Sequence, residues 1–208
     1  MKKISRYTLY IVVSLFAINA NSTPMAYSVN SDSGSSNQDS LYEIDLATGN
    51  ELLKGELISV KEIYDHTDTE GLAFSNDGTL WGMDDDTRTL FPVNTDTGAI
   101  NIQSVIPINI FPEGGGNDFG MTFSCDNSLY VTSVITHTLY RLDLEGNSEI
   151  IGGLGKLGVN ISAIAAFGNN PVLLYGLGNG EFLNGETDSP NLYSINVDTG
   201  SATMIEPL

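Results

Sequence analysis

The residues of this chain that could do chemistry are mostly carboxylates and carboxamides. Asp84-Asp85-Asp86 is the densest run, and Asp68, Glu70, Asn117 and Asp118 stand in neighbouring loop segments. Oxygen donors of this kind suit Ca²⁺ or another divalent cation; Ca²⁺ takes about six to eight oxygen ligands. The spacing of an EF-hand loop is absent. The signal is therefore compositional, and a solvated acidic loop would carry the same residues. His66, with Asp65 and Asp68 beside it, could hold a transition metal, or could simply belong to an exposed polar loop. Gly114-Gly115-Gly116 could let a ligand approach the backbone closely. No Lys-Ser/Thr follows it and no helix opens there, so it is no phosphate loop and reads as a flexible linker.

Covalent chemistry finds little support. Serine is abundant but no Gly-x-Ser-x-Gly elbow occurs. The single cysteine, Cys125, has no partner for an internal disulfide, so the fold must be held by its core. The 208 residues carry a formal net charge of −18. Residues 1–22 hold three of the eight basic side chains, Lys2, Lys3 and Arg6, and none of the 26 acidic ones, so the rest is more acidic still. Such a chain is a poor partner for nucleic acid, whose phosphates need cationic neutralisation, and for anionic membranes. Cations, a protein, a glycan or a small ligand remain as partners, and the charge also serves solubility.

The basic start, the apolar run from Tyr7 to Ile18 and the small residues Ala20 and Ser22 form a signal-peptide pattern, with residues 1–22 removed on export. The run is too short for a spanning helix, which needs about 20 residues. The expected location is secreted or periplasmic, and residues 23–208 form one β domain.

The elements that must position the acidic residues emerge from an internal repeat. Four segments share one pattern: Leu41-Tyr-Glu-Ile-Asp-Leu-Ala-Thr-Gly49, Leu90-Phe-Pro-Val-Asn-Thr-Asp-Thr-Gly98, Leu139-Tyr-Arg-Leu-Asp-Leu-Glu-Gly146 and Leu192-Tyr-Ser-Ile-Asn-Val-Asp-Thr-Gly200. Their leucines are 49, 49 and 53 residues apart. Each reads as a strand running into a tight Gly turn. A second pattern precedes three of them: Gly71-Leu-Ala-Phe-Ser-Asn-Asp-Gly-Thr-Leu-Trp81, Gly120-Met-Thr-Phe-Ser-Cys-Asp-Asn-Ser-Leu-Tyr130, and a looser copy from Ser162 to Tyr175. Further strands follow the Gly turns, such as Ile100 to Ile106 and Ser201 to Ile205. One unit is therefore strand A, turn, strand B, loop, strand C, Gly turn, strand D. Four antiparallel strands in about 40–50 residues make a propeller blade. A β-sandwich would give no reason for the order to recur at this period. The expected blades span about 25–60, 69–107, 118–153 and 160–208. Blade 1 starts at strand B, with Ala26-Tyr27-Ser28-Val29, and lacks strand A. A compact ring missing one strand, an open arc, and a half-ring that closes with another copy all fit, with self-association through the incomplete first blade.

Strand alternation fixes which loops share a side. The A–B and C–D turns lie on one face and are short. The B–C loops and the D-to-A connections lie on the other, and they hold Asp32, Asp39, both histidines (His66 and His137), the Asp84–Asp86 run, Asn117, Asp118, Asn179, Glu181, Glu186 and Asp188. Long, varied loops on a rigid scaffold are where binding usually resides. Trp81, Tyr130 and Tyr175 recur at one repeat position and are expected to pack between blades.

The two repeat motifs resemble those of secreted bacterial propellers of the quinoprotein-like and YVTN-like kind. That resemblance implies the architecture and leaves the activity open, since such propellers include enzymes and binding proteins. Glu70-Gly71 and Asn117-Asp118 also resemble the first ligands of gluconolactonase-type lactonases, where a divalent cation sits on the propeller axis. That resemblance implies a metal-dependent lactone or ester hydrolase with Glu70 and Asp118 at the reacting centre. The later blades carry no clear match to the remaining ligands. The leading expectation is a non-catalytic module that binds a protein, glycan or divalent cation through its acidic loop face.

Overall fold

The structure, a computed structural model, describes residues 23–30, 39–57, 68–108, 117–168, 170–179 and 190–207. The expected leader 1–22, Asp32, Asp65, His66, Gly114–Gly116, Glu181, Glu186 and Asp188 lie outside the described residues. Among the described residues no helix is long and apolar enough to cross a membrane.

Among the described residues fifteen strands form four antiparallel sheets. Blade 1 contains β1 (Met25–Val29), β2 (Ser40–Asp45) and β3 (Glu51–Glu56). Blade 2 contains β4 (Thr69–Phe74), β5 (Leu80–Asp84), β6 (Thr89–Val93) and β7 (Ile106–Pro107). Blade 3 contains β8 (Phe119–Phe123), β9 (Leu129–Ser133), β10 (Thr138–Leu142) and β11 (Ser148–Ile151). Blade 4 contains β12 (Ala163–Phe167), β13 (Leu173–Asn179), β14 (Pro190–Ile195) and β15 (Ala202–Pro207). Within each sheet the strands pair in chain order. This is a four-bladed β-propeller whose first blade has three strands among the described residues.

The turns follow from the repeat chemistry. At each C–D turn an Asp or Asn side chain accepts hydrogen bonds from the backbone two or three residues on: Asp45 from Ala47, Asn94 from Asp96, Asp143 from Glu145 and Asn196 from Asp198, at 2.8–3.0 Å. This fold-back is what Asx turns provide. The glycine that closes each turn has a positive φ, 73° at Gly49 and Gly98, 89° at Gly146 and 67° at Gly200. The A–B turns use a second device. Asp77 accepts from Ser75 Oγ and the Thr79 amide, and Asp126 does the same with Ser124 and Ser128.

The core lies between blades, and one alternation rule builds it. The leading leucine of strand C points to the following blade and the aromatic after it points to the preceding one. Leu41 therefore meets Phe91, Leu90 meets the Tyr140 layer, and Leu139 meets the Tyr193 layer, in three successive apolar clusters. All of these side chains are buried. The innermost strands pack in sequence, β1 on β4, β4 on β8 and β8 on β12; among the described residues no comparable packing joins blade 4 back to blade 1.

Two expectations need correction. Strand D of blade 2 does not run from Ile100 to Ile106. Asn101 caps a 3₁₀ turn, Ile102–Ser104, by accepting from the Gln103 amide at 3.2 Å, so pairing is reduced to a bridge at Ile100 and the short β7. Trp81 and Tyr130 are buried between blades at 8% and 5% exposure, but Tyr175 is 38% exposed: among the described residues no further blade packs on its side of the sheet.

Candidate metal centre on the loop face

Asp84 ends β5 and is fully buried. Its Oδ1 accepts from the Thr87 amide and hydroxyl, both at 2.7 Å, and its Oδ2 from the Asp68 amide at 3.2 Å. The first carboxylate of the acidic run therefore folds the B–C loop of blade 2 onto the segment entering that blade. A charge buried this deeply needs such partners.

Asp85 turns the other way. Its Oδ2 accepts from the Asn117 amide at 2.6 Å, and the side chain is 3% exposed. Its Oδ1 is buried and makes no hydrogen bond. Asp86 is exposed and Asp68 half-buried. Asp68, Asp85 and Asp86 each place one carboxylate oxygen so that all three lie within 4.8 Å of one another. Two ligands on opposite sides of a Ca²⁺ ion, each at about 2.4 Å, stand about 4.8 Å apart. The spacing thus fits three oxygens around one ion.

The other expected residues sit around this cluster. Glu70 is half-buried in β4, beside the register shift between Thr69 and Gly71. Asn117 is buried, and its Oδ1 accepts from Ser133 Oγ at 2.9 Å and from the Ile135 amide at 3.1 Å; its Nδ2 makes no hydrogen bond. Its carboxamide therefore braces the B–C loop of blade 3. Asp118 is exposed, and its carbonyl accepts from the Val134 amide at 3.2 Å. The carboxylate cluster takes in neither Glu70 nor Asp118.

Asp39 plays a role that sequence reasoning did not assign. It stands in the B–C loop of blade 1 and its Oδ1 accepts from the Thr69 amide at 3.0 Å, in a buried contact. Asp39 and Asp85 thus do the same thing one blade apart: a buried loop carboxylate clips the first residues of the next blade. The repeat gave no common signal for the two: Asp85 directly follows strand B of blade 2, whereas Asp39 stands directly before strand C of blade 1, where the second repeat carries Arg88.

The opposite face carries the short turns. The Asp77, Asp126 and Asp143 carboxyls are held below the ordinary aspartate range, chiefly by hydrogen bonds from the side chains of Ser75, Ser124 and Asn147. These are turn-stabilising contacts. An open groove of about 530 Å³ lies on that side, lined by Asp126, Arg141, Asp143 and Glu149 among others, away from the carboxylate cluster.

No protein-family model matches the chain, and no curated protein matches it. Solved structures do. A Bacteroides thetaiotaomicron protein of unknown function aligns over 81% of this chain and 43% of its own, with a TM-score of 0.53 and 12% identity. Virginiamycin B lyase from Staphylococcus aureus aligns over 83% of this chain and 50% of its own, with a TM-score of 0.49 and 16% identity. YCF48 bound to D1 peptide aligns over 89% and 50%, with a TM-score of 0.46 and 14% identity. The chain spans about half the length of these structures. At 12% identity the likeness to the Bacteroides protein is one of fold alone.

Proposed function

We propose that the chain is an exported, non-catalytic propeller module whose loop face binds Ca²⁺ between Asp68, Asp85 and Asp86. One observation carries the reading: three carboxylate oxygens from two loops lie within 4.8 Å, and one of the three residues is almost fully buried. Three negative groups held this close repel one another, and a divalent cation turns that repulsion into attraction. Carboxylates in mono- or bidentate mode, completed by water, provide the oxygen-rich and adaptable shell that Ca²⁺ accepts and Mg²⁺ does not favour. The cation would lock the B–C loop of blade 2 to the segment entering the same blade, and would present a charged, shaped surface to a protein or glycan.

The test is a thermal melt of the purified chain with and without millimolar Ca²⁺, alongside calorimetric titration. The melting temperature should rise with Ca²⁺, since a ligand that binds only the native state stabilises it. The rise should vanish in Asp68→Asn and Asp86→Asn. An unchanged melt in saturating Ca²⁺ overturns the reading. Cation-dependent ester turnover abolished by Glu70→Gln would replace it with the hydrolase.

A further inference from the structure

The repeat makes one prediction about every blade surface, and two surfaces break it. The aromatic that closes strand B, Trp81 in blade 2 and Tyr130 in blade 3, is covered by the next blade. Its counterpart in blade 4, Tyr175, is 38% exposed. It does not stand alone. In β12 and β13 the outward positions pair as Ala163 with Leu177, Ala165 with Tyr175 and Phe167 with Leu173, and all six side chains are exposed. Phe167 reaches 70%. This is a contiguous apolar sheet face, not scattered surface hydrophobics.

Blade 1 shows the complementary defect. Phe91, Tyr140 and Tyr193, which follow the leading leucine of strand C, are buried against the preceding blade, as are Val93, Leu142 and Ile195 two residues on. Their counterparts in blade 1, Tyr42 and Ile44, are only half-buried. The turn glycines repeat the pattern. A methyl group on Gly98 would lie 2.6 Å from the Gly55 carbonyl oxygen, one on Gly146 2.7 Å from that of Pro107, and one on Gly200 2.2 Å from that of Ile151. Each therefore rests on strand D of the blade before it. A methyl on Gly49 would meet nothing within 4 Å.

The exposed face of blade 4 is thus the leading half of an interface that the chain builds three times internally, and the exposed face of blade 1 is the trailing half. Their occupants are specified by that repetition: each fits the other. Among the described residues of one chain no blade 4 to blade 1 packing comparable to the internal ones joins them. We infer that two copies of this chain associate head to tail, blade 4 of each against blade 1 of the other, to close one eight-bladed ring. Eight blades lie within the usual four to eight, and a head-to-tail contact made twice closes on itself. The reading is independent of the cation site.

Sedimentation equilibrium of the purified chain at tens of micromolar tests it, with an expected mass twice that of one chain. Tyr175→Glu and Tyr42→Glu place a charge on opposite halves of the interface at side chains that are incompletely buried in the single chain. Each alone should sediment as one chain while keeping a cooperative melt. An equimolar mixture should regain a two-chain species, because the intact blade 1 of one variant meets the intact blade 4 of the other. If Tyr175→Glu does not fold, Ala165→Arg on the same exposed face replaces it. A single-chain mass for the unaltered protein overturns the inference. So does a Tyr42→Glu variant that stays fully dimeric, which would put blade 4 against blade 4, and so do polymers longer than two chains.

Discussion

Asp85 and Asn117 lie 32 residues apart in the chain, yet the Asn117 amide donates to Asp85 Oδ2 at 2.6 Å in a buried contact. One side chain therefore joins the B–C loop of blade 2 to the entrance of blade 3. The same carboxylate contributes to the oxygen cluster with Asp68 and Asp86. Its two oxygens differ: Oδ2 holds the blades together, and Oδ1, buried and without a hydrogen bond, would be the one open to the cation of the proposed site.

This division predicts different consequences for two substitutions. Asp85→Ala removes the acceptor and leaves a buried amide unsatisfied, at a cost of about 1–3 kcal/mol. Asp85→Asn keeps an acceptor oxygen in the same place and should cost less than half as much. Both should abolish the Ca²⁺ response. Urea denaturation of the two variants with and without Ca²⁺ reads all four outcomes. Equal destabilisation by Asn and Ala would mean that the charge, and not the hydrogen bond, holds the blades.

Acid should weaken the turns of the turn face. Asp77, Asp126 and Asp143 have depressed carboxyl pKa values, set mainly by side-chain hydrogen bonds from Ser75, Ser124 and Asn147. A carboxyl whose folded pKa lies below its unfolded value stabilises the fold above the unfolded value, about 3.9. That contribution disappears as pH falls through the folded value. The loss therefore falls below about pH 4 and leaves neutral stability untouched. Denaturant midpoints measured from pH 5 down to pH 2.5 should drop for the unaltered chain, and drop less for a triple Asp→Asn variant at these positions. All three groups are largely or fully solvent-exposed, so salt and water screening keep the effect modest.

Much of this was legible in the sequence. The leucines at 41, 90, 139 and 192 and their Gly turns fix the blades, because alternation and turn chemistry are local. The same alternation puts Asp68, Asp85 and Asp86 on one face. What the sequence could not supply depends on neighbours. Asp84, Asp85 and Asp86 look equivalent in the chain, but Asp84 turns inward onto Thr87 and the Asp68 amide, and only the folded loop decides that. Asn101 could continue a strand or cap a turn, and it caps. Tyr175 carries the same repeat signature as Trp81 and Tyr130, yet its burial depends on whether another blade stands beside it.

That dependence gives a direct contrast. Tyr130→Ala opens a cavity between blades 3 and 4, and removal of a large buried aromatic costs about 3–5 kcal/mol. Tyr175→Ala removes a side chain that the single chain leaves 38% exposed, and should cost well under half as much in dilute protein. Above the association threshold the Tyr175→Ala penalty should grow with concentration, because linked assembly stabilises only the unaltered chain. Melting temperatures at two concentrations a hundredfold apart separate these cases.

The turn glycines offer the sharpest version of the same contrast. Gly49 and Gly98 share a φ of 73°, so alanine meets the same backbone penalty at both, about 1–2 kcal/mol for a left-handed conformation. Their surroundings differ. At Gly98 the added methyl would sit 2.6 Å from the Gly55 carbonyl oxygen, a backbone atom that moves only if blade 1 shifts relative to blade 2. At Gly49 it would meet open space. Gly98→Ala should therefore lose the shared backbone cost plus about 1–3 kcal/mol of overpacking, and Gly49→Ala the backbone cost alone. The difference between their denaturation free energies, measured in dilute protein, isolates the blade contact from the turn itself. If the two alanine variants are equally destabilised, the glycine serves only the turn, and the close approach of each turn to the preceding blade is not what holds the repeat together.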